Sequence, residues 1–265
     1  MSRQVSRRQL EQLRVQLSPR DLAVLESARR CRLATGDQLR RLHFRDHATP
    51  ETGARVARRV LNRLSGHGLL ARLERRIGGI RAGSAGHVYA LSPLGHRVLG
   101  SDIRKRMNEP SFAFVKHTLA ITDLSTTLIE LAANDRIDLL ELQPEPKAWR
   151  THQAGLIEAI LKPDLFVQVA DDKYELSWFI EIDCDTESRP TIQRKYHTYA
   201  EYRRTGIEQE RHGVFPLALW VAPDERRATQ LQQAIDSDRR IDPDLFVVTT
   251  SSMALAVITD TNRQP

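Results

Sequence analysis

The chain has 265 residues, of which 40% are hydrophobic and 28% are charged, and its net charge is +6. This length and composition provide enough apolar side chains for a core in one large or two modest domains, which excludes a wholly disordered protein. No apolar stretch reaches the roughly 20 residues of a membrane-spanning helix and no secretory signal is visible, so we expect a cytoplasmic protein without a membrane partner.

Three helix starts follow one another in the first quarter of the chain. Each is an N-cap by a hydroxyl side chain, at Ser18, Thr35 and Thr49. Proline at the next position strengthens the first and third starts, and Gln38 completes a capping box at the second. The third helix is predicted to run to about residue 67, where glycines end it. Three short helices joined by tight turns predict a helix-turn-helix.

A hairpin pattern follows the third helix. Residues 69–76 and 87–91 are strand-like, and the intervening residues 78–84 are rich in glycine. Because three helices followed by a hairpin is the element order of a winged helix, we predict a winged-helix domain at residues 1–100. The polar and basic stretch 101–110 is predicted to be the linker to a second domain.

The third predicted helix has a cationic face. Steps of three and four residues put Val56, Val60 and Leu64 on its inner side. The opposite side is polar, and it comprises Arg55, Arg58, Arg59, Asn62 and Arg63. Arg bonds guanine edges and phosphates and Asn bonds adenine edges, so this side fits the major groove of double-stranded DNA.

The charge distribution supports a first domain that binds DNA. Residues 1–110 hold 23 Lys and Arg against 9 Asp and Glu, a net +14, whereas residues 111–265 hold 17 against 25, a net −8. An Arg-rich basic region favours a polyanionic partner. In the predicted wing, Arg76 and Arg81 add two expected DNA contacts. The alternatives are a solvated charged helix face and a composition bias, since a GC-rich genome encodes many arginines throughout a protein.

Beyond residue 110 the periodicity changes to a mixed α/β pattern, which we assign to a second domain at 111–265. The predicted helices lie at about 113–133, 189–204 and 224–237. The predicted strands lie at 139–142, 165–169, 176–183, 217–221, 245–249 and 253–258. The whole chain is therefore predicted to be a mixed α+β protein.

Two of these strands are predicted to bring carboxylates together. A turn near Asp172 would make an antiparallel hairpin in which Asp164 lies almost opposite Glu181. Strand alternation puts Glu181 and Asp183 on one face, so three carboxylates would converge at a strand end. Carboxylate oxygens are the ligands that Mg²⁺ prefers, which makes all three candidate metal ligands. The alternative is a set of strand-end side chains that face water, with Asp164 starting a turn after Pro163.

Lys195 on the helix at 189–204 can lean toward these carboxylates, where an ammonium would orient a water or stabilise charge on a phosphate. The alternative is a solvated helical lysine. The histidines form no HExxH motif and no glycine-rich phosphate loop is present, which argues against zinc protease, dinucleotide and nucleotide sites. Cys31 and Cys184 are far apart and outside any CxxC motif, so we expect reduced thiols.

Short motifs occur at residues 17–21, 32–44, 89–95, 117–120, 163–164, 181–183 and 195–199. In these motifs the chain resembles the replication-relaxation family of actinobacterial plasmids and mobile elements. The resemblance implies a winged-helix domain that binds DNA and a role in plasmid replication and DNA relaxation. We also expect partners among replication or relaxosome proteins, and a homodimer.

The second half is also similar to the PD-(D/E)XK nuclease superfamily, whose αβββαβ order matches the predicted elements. This resemblance implies that Asp164 takes the PD position and Glu181 the acidic position of the (D/E)XK element. Asp183 stands where the pattern has Lys. The implied function is a Mg²⁺-dependent nicking endonuclease with Asp164, Glu181, Asp183 and Lys195 as catalytic residues. The alternatives are a DNA-binding regulator without catalysis and an accessory or interaction protein with a degenerate nuclease fold.

Overall fold

The chain divides into two units, Met1–Thr126 (unit 1) and Thr127–Pro265 (unit 2). A computed structural model describes residues 6–73, 87–101, 110–155, 157–170 and 174–260. Helices and strands alternate along both units, which confirms the predicted mixed α/β class. Across the described ranges, no helix is both long and apolar enough to cross a membrane.

Unit 1 contains the helices α1 (Arg7–Gln16), α2 (Pro19–Cys31), α3 (Gly36–His43), α4 (Pro50–Gly66) and α5 (Pro93–Val98). Helices α2, α3 and α4 begin where the predicted hydroxyl caps place them. Ser18 and Thr35 each complete a capping box, and the Thr49 side chain accepts from the Thr52 amide. Each cap supplies a partner for an amide that the first helical turn leaves unbonded. Helix α1 was not predicted, although Ser6 caps it in the same way.

A small antiparallel sheet completes unit 1. Its strands are β1 (Ala34–Thr35), β2 (Leu70–Leu73) and β3 (Val88–Leu91), and β3 lies between the other two. The predicted wing turn at 78–84, which includes Arg81, lies outside the described residues, and so does Arg76 at the end of the preceding predicted strand.

The buried face of α4 differs slightly from the predicted one. Ala57, Leu61 and Leu64 are buried in the core of unit 1, whereas Val56 and Val60 are half-buried at its margin. Steps of four and three residues from Ala57 define this stripe, which leaves the two valines on its flank. The core is formed mainly by α2, α3, α4 and the sheet, so α4 turns its opposite side to solvent.

Helix α6 (Phe112–Ala132) begins close to the prediction, but the boundary between the units falls inside it. Its first half bonds to unit 1: Gln38 Nε2 donates to the Leu119 carbonyl at 3.1 Å, and Thr122 Oγ1 donates to the Leu33 carbonyl at 2.8 Å. These contacts explain why the boundary lies later than the predicted linker at 101–110. Most of that linker lies outside the described residues, so its character stays a prediction.

Unit 2 is built on a mixed sheet with helices. Its strands are β4 (Asp138–Pro144), β5 (Arg150–Ala154), β6 (Ile157–Leu161), β7 (Leu165–Ala170), β8 (Glu175–Ile182), β9 (Leu217–Ala222) and β10 (Phe246–Thr250). Its helices are α7 (Arg189–Arg204), α8 (Ile207–His212), α9 (Glu225–Asp236) and α10 (Ala254–Ile258), with a short 3₁₀ helix at Pro243–Leu245.

The main sheet has the strand order β10-β9-β8-β7-β4. Strands β4, β7 and β8 pair antiparallel, and β8, β9 and β10 pair parallel. Strands β5 and β6, which come between β4 and β7 along the chain, pair with each other in a separate two-stranded sheet. Helix α7 buries Ile192, Tyr196 and Tyr199 in the aromatic core on this sheet. Because Lys195 directly precedes the buried Tyr196, this packing fixes the position of Lys195 at the edge of the buried face.

Two features of unit 2 differ from the sequence prediction. The strand predicted at 253–258 is wrong, because Ala254–Ile258 is helix α10. A short apolar run does not distinguish a strand from a helix, which accounts for the error. The hairpin of β5 and β6 was not predicted, since β5 has little of the apolar alternation that identifies a strand. The turn predicted near Asp172 lies outside the described residues.

Candidate functional site

The polar side of α4 is exposed. Arg55, Arg58, Arg59 and Asn62 all lie on the surface, and we call these four residues the α4 basic face. Within the part of the chain that the structure describes, none of its three arginines forms an ion pair with a carboxylate. Arg58 Nε donates to the Ala54 carbonyl at 3.3 Å, within its own helix. The basic face therefore carries positive charge that an external anion can neutralise.

Arg63 was predicted to belong to the same face, but it forms an ion pair within unit 1. Its guanidinium donates to Asp21 Oδ1 at 2.5 Å, and the Asp21 side chain is 1% exposed. Asp21 Oδ2 also accepts from Ser18 in the capping box of α2. Arg63 thus ties α4 to the start of α2, and its charge is already balanced inside unit 1.

A cleft of about 180 Å³ opens beside the basic face, between α3, α4 and the sheet of unit 1. Arg58 and Asn62 line it from α4, and Arg72 and His87 line it from the sheet side, with side-chain nitrogens 3.5 Å apart. Arg72 and His87 were not among the predicted DNA contacts. Arg72 and His87 lie in the two arms of the predicted hairpin, one on each side of its turn. Their basic side chains at these positions were the sequence signal that could have identified them as contacts.

The second candidate site lies at the ends of β7 and β8. Leu165 pairs with Ile180, and the Asp164 amide continues the ladder by donating to the Ile180 carbonyl at 3.0 Å. This register places Asp164 opposite Glu181, as predicted. The Asp164 carboxylate accepts from the Ile182 amide at 2.7 Å. Both acidic side chains are buried beside each other at the end of the hairpin.

Glu181 has two close donors on α7. Lys195 Nζ donates to Glu181 Oε2 at 2.9 Å, and the Tyr199 hydroxyl donates to Oε1 at 2.8 Å. Burial raises the pKa of Glu181 to about 7, although the Lys195 charge lowers it, and the Asp164 charge adds to the rise. Lys195 leans toward the carboxylates as the sequence predicted, and it also pairs with Glu187 at 2.9 Å.

Asp183 is turned away from this pair and toward α9. Its Oδ2 accepts from Arg227 Nη2 at 2.8 Å and from Nε at 3.1 Å, and its Oδ1 accepts from the Asp185 amide. Arg227 Nη2 also donates to the Glu187 carbonyl at 3.0 Å. The three carboxylates were predicted to converge, but β8 ends at Ile182 and Asp183 has its own cation.

The donor set does not fit a bound Mg²⁺. Such an ion needs several oxygens that face one point and keep lone pairs for it. Glu181 and Asp183 each accept protein hydrogen bonds on both oxygens, and Asp164 accepts from a backbone amide. In the described ranges, no three His, Cys, Asp or Glu side chains gather closely enough to hold a metal. Lys195 lies beside Glu181 and Arg227 beside Asp183 instead.

Comparison with known proteins shows the family to which the chain belongs. The model of the family described as replication-relaxation matches residues 25–218, from within α2 to within β9. The match covers more than half of the chain and includes the α4 basic face, Asp164, Glu181 and Lys195. No curated protein and no solved structure matches the chain.

Proposed function

Because the chain belongs to the replication-relaxation family, we propose that it binds double-stranded DNA in the replication or relaxation of a plasmid or other mobile element. The observation that carries this proposal is the α4 basic face, whose exposed arginines have no carboxylate partner among the described residues. Arg contacts to phosphate give affinity, and Arg or Asn contacts to base edges give sequence preference. The replication machinery supplies its further partners.

The arrangement of unit 1 supports α4 as the helix that enters the major groove. Helices α2, α3 and α4 precede the strands β2 and β3, which is the order of a winged helix. The 17 residues of α4 give a rod about 25 Å long, and the major groove is wide enough to admit it. Arg72 and His87 extend the same basic surface across the cleft. Arg76 and Arg81 stay proposed contacts of the wing.

A tethered cleavage reagent tests this docking. An iron chelate attached to Asn62→Cys should cut duplex DNA when α4 lies in the groove, because the radicals that it releases travel only a short distance. Cys31 and Cys184 are buried, so a brief labelling reaction selects the introduced thiol. The matched control is Gln12→Cys on α1, an exposed position on a helix that packs against α5.

Strong cleavage from position 62 and weak cleavage from position 12 is the expected result. Equal cleavage from the two positions, at protein concentrations that saturate the DNA, would contradict docking through α4.

For unit 2 we propose a nuclease-like arrangement that serves as a scaffold without cleaving DNA. The order α6, β4, β7, β8, α7, β9 follows αβββαβ, with the hairpin of β5 and β6 as an insertion. The pairing of Asp164 with Glu181 supports the likeness. The contacts of Glu181 with Lys195 and of Asp183 with Arg227 argue against a working metal centre. The scaffold would bind DNA, replication or relaxosome proteins, or a second copy of this chain.

A plasmid assay tests the scaffold proposal against the nicking endonuclease. Supercoiled plasmid incubated with the full chain and Mg²⁺ or Mn²⁺ is expected to stay supercoiled. Asp164→Asn and Glu181→Gln are the controls, since each keeps the side-chain shape and removes the charge. Open circles that the parent produces and both variants fail to produce would establish catalysis and overturn the scaffold role. Nicking that persists in both variants would be assigned to a contaminant.

A further inference from the structure

We infer that the cleft beside the α4 basic face holds one backbone phosphate of bound DNA between Arg72 and His87, and that His87 takes up a proton when this phosphate enters. The inference rests on the proposed binding of DNA and deepens it, because it names a phosphate site outside α4 and makes binding depend on pH.

The first argument is the geometry of the two side chains. Arg72 lies on β2, and the carbonyl of His87, just before β3, accepts from the Gly36 amide at 3.1 Å. Arg72 Nη1 lies 3.5 Å from His87 Nε2. An arginine nitrogen always donates, so His87 Nε2 is the acceptor and its ring is neutral in this contact. The contact is long for a hydrogen bond, so exchanging it for bonds to a phosphate loses little.

The second argument is the charge of the cleft. Among the described residues that line it, three arginines, Arg40, Arg58 and Arg72, accompany one carboxylate, that of Asp37. Arg40 and Asp37 pair at 2.9 Å, which balances their charges. In the part of the chain that the structure describes, neither Arg58 nor Arg72 pairs with a carboxylate. Burial raises the pKa of Tyr89, although the Arg72 charge lowers it, so this phenol adds no negative charge at neutral pH. The cleft therefore favours an anion.

The third argument is the position of the cleft along α4. Arg58 and Asn62 belong both to the α4 basic face and to the lining of the cleft. The sugar-phosphate strands border the major groove, so a helix in the groove has phosphates on both sides. The cleft volume of about 180 Å³ is large enough for one phosphate group. Docking of α4 would thus bring a backbone phosphate to Arg72 and His87.

The fourth argument concerns the proton. A phosphate oxygen between the two side chains needs a hydrogen on both facing nitrogens, and His87 Nε2 gains one when the ring takes a proton from solvent. The protonated ring is charged, and its hydrogen bond to a phosphate is stronger than that of a neutral donor. Because histidine changes its charge between about pH 5 and 8, DNA binding should strengthen as the pH falls through this range.

Fluorescence anisotropy with a labelled duplex at about pH 5.5 and about pH 8, at equal ionic strength, tests the inference. The parent is expected to bind about tenfold more tightly at the lower pH, the effect of one hydrogen bond between charged groups. His87→Gln should lose this difference. His87→Arg should bind tightly at both pH values, because its charge does not titrate. The matched controls are His67→Gln and His67→Arg, at the exposed end of α4, and both should keep the difference.

The salt dependence distinguishes a phosphate contact from a base contact. For the parent, the slope of log affinity against log salt concentration should be steeper by about 1 at the lower pH, and His87→Gln should not show this change. Tighter binding at the lower pH without a steeper slope would assign His87 to a base edge and overturn the inference. Equal pH dependence in the parent and in His87→Gln would overturn it as well.

A proton NMR titration of the His87 ring with inorganic phosphate separates DNA from the free ion. If phosphate shifts this ring while His87→Gln leaves DNA binding unchanged at both pH values, the cleft is a site for the free ion and the inference is wrong. Failure of the parent to bind duplex DNA at low salt would overturn the proposed function itself. Tight binding by the parent without any effect of His87 would overturn this inference alone.

Discussion

Replacing Arg55, Arg58 and Arg59 together by Ala is expected to weaken binding of duplex DNA by at least about 100-fold at low salt. Each Arg contact to a base or phosphate contributes about 1 to 3 kcal/mol, and 1.4 kcal/mol is about tenfold in affinity. All three side chains are exposed and none pairs with a carboxylate in the described part of the chain, so the fold should tolerate their loss. Fluorescence anisotropy with a labelled duplex measures the effect.

The matched control removes the same charge elsewhere. Arg194, Arg204 and Arg211 are exposed on unit 2, and their triple Ala variant lowers the net charge of the chain equally. This control is expected to bind DNA much more tightly than the α4 variant does. Equal losses in the two variants would mean that total charge, rather than the α4 basic face, determines the affinity.

Arg227→Ala is expected to lower the free energy of unfolding by about 3 to 5 kcal/mol, the usual cost of leaving a buried ion without its partner. The side chains of Asp183 and Arg227 are 1% and 9% exposed, so water does not replace the lost guanidinium. The substitution removes both nitrogens that donate to Asp183, and with them the hydrogen bond to the Glu187 carbonyl. Urea unfolding followed by tryptophan fluorescence measures the loss.

The neighbouring residue provides the control for this measurement. Arg226 pairs with Asp185 at 2.6 Å, but its side chain is 64% exposed, so Arg226→Ala should cost no more than about 1 kcal/mol. All three tryptophans, Trp149, Trp178 and Trp220, belong to unit 2 and report its unfolding. Similar small losses for the two Arg variants would show that the Asp183 pair contributes little to stability.

Local signals in the sequence predicted much of this fold. Ser18, Thr35 and Thr49 identify three helix starts, because capping is a hydrogen bond between neighbours in the chain. The register of Asp164 and Glu181 was predictable because both residues belong to one hairpin, in which strand alternation and the position of the turn decide which residues face each other. Lys195 was placed correctly because helical spacing fixes it beside Tyr196 and Tyr199.

Distant partners could not be predicted in the same way. The sequence indicated neither that Arg227 would neutralise Asp183 nor that Arg63 would bond to Asp21, because both contacts join separate elements. Residue type and spacing therefore assigned Asp183 to a metal and Arg63 to DNA. The missing information was three-dimensional, namely which charged side chains the packing of α9 and α2 brings within hydrogen-bonding distance.

The salt dependence of binding tests docking through α4 most directly. Each Arg that neutralises a phosphate releases counterions and adds about 0.9 to the slope of log affinity against log salt concentration. We predict a steep negative slope for the parent and, for the Arg55, Arg58 and Arg59 triple Ala variant, a slope shallower by about 1 for each Arg that contacts phosphate. Parallel slopes for the parent and this variant would contradict the account.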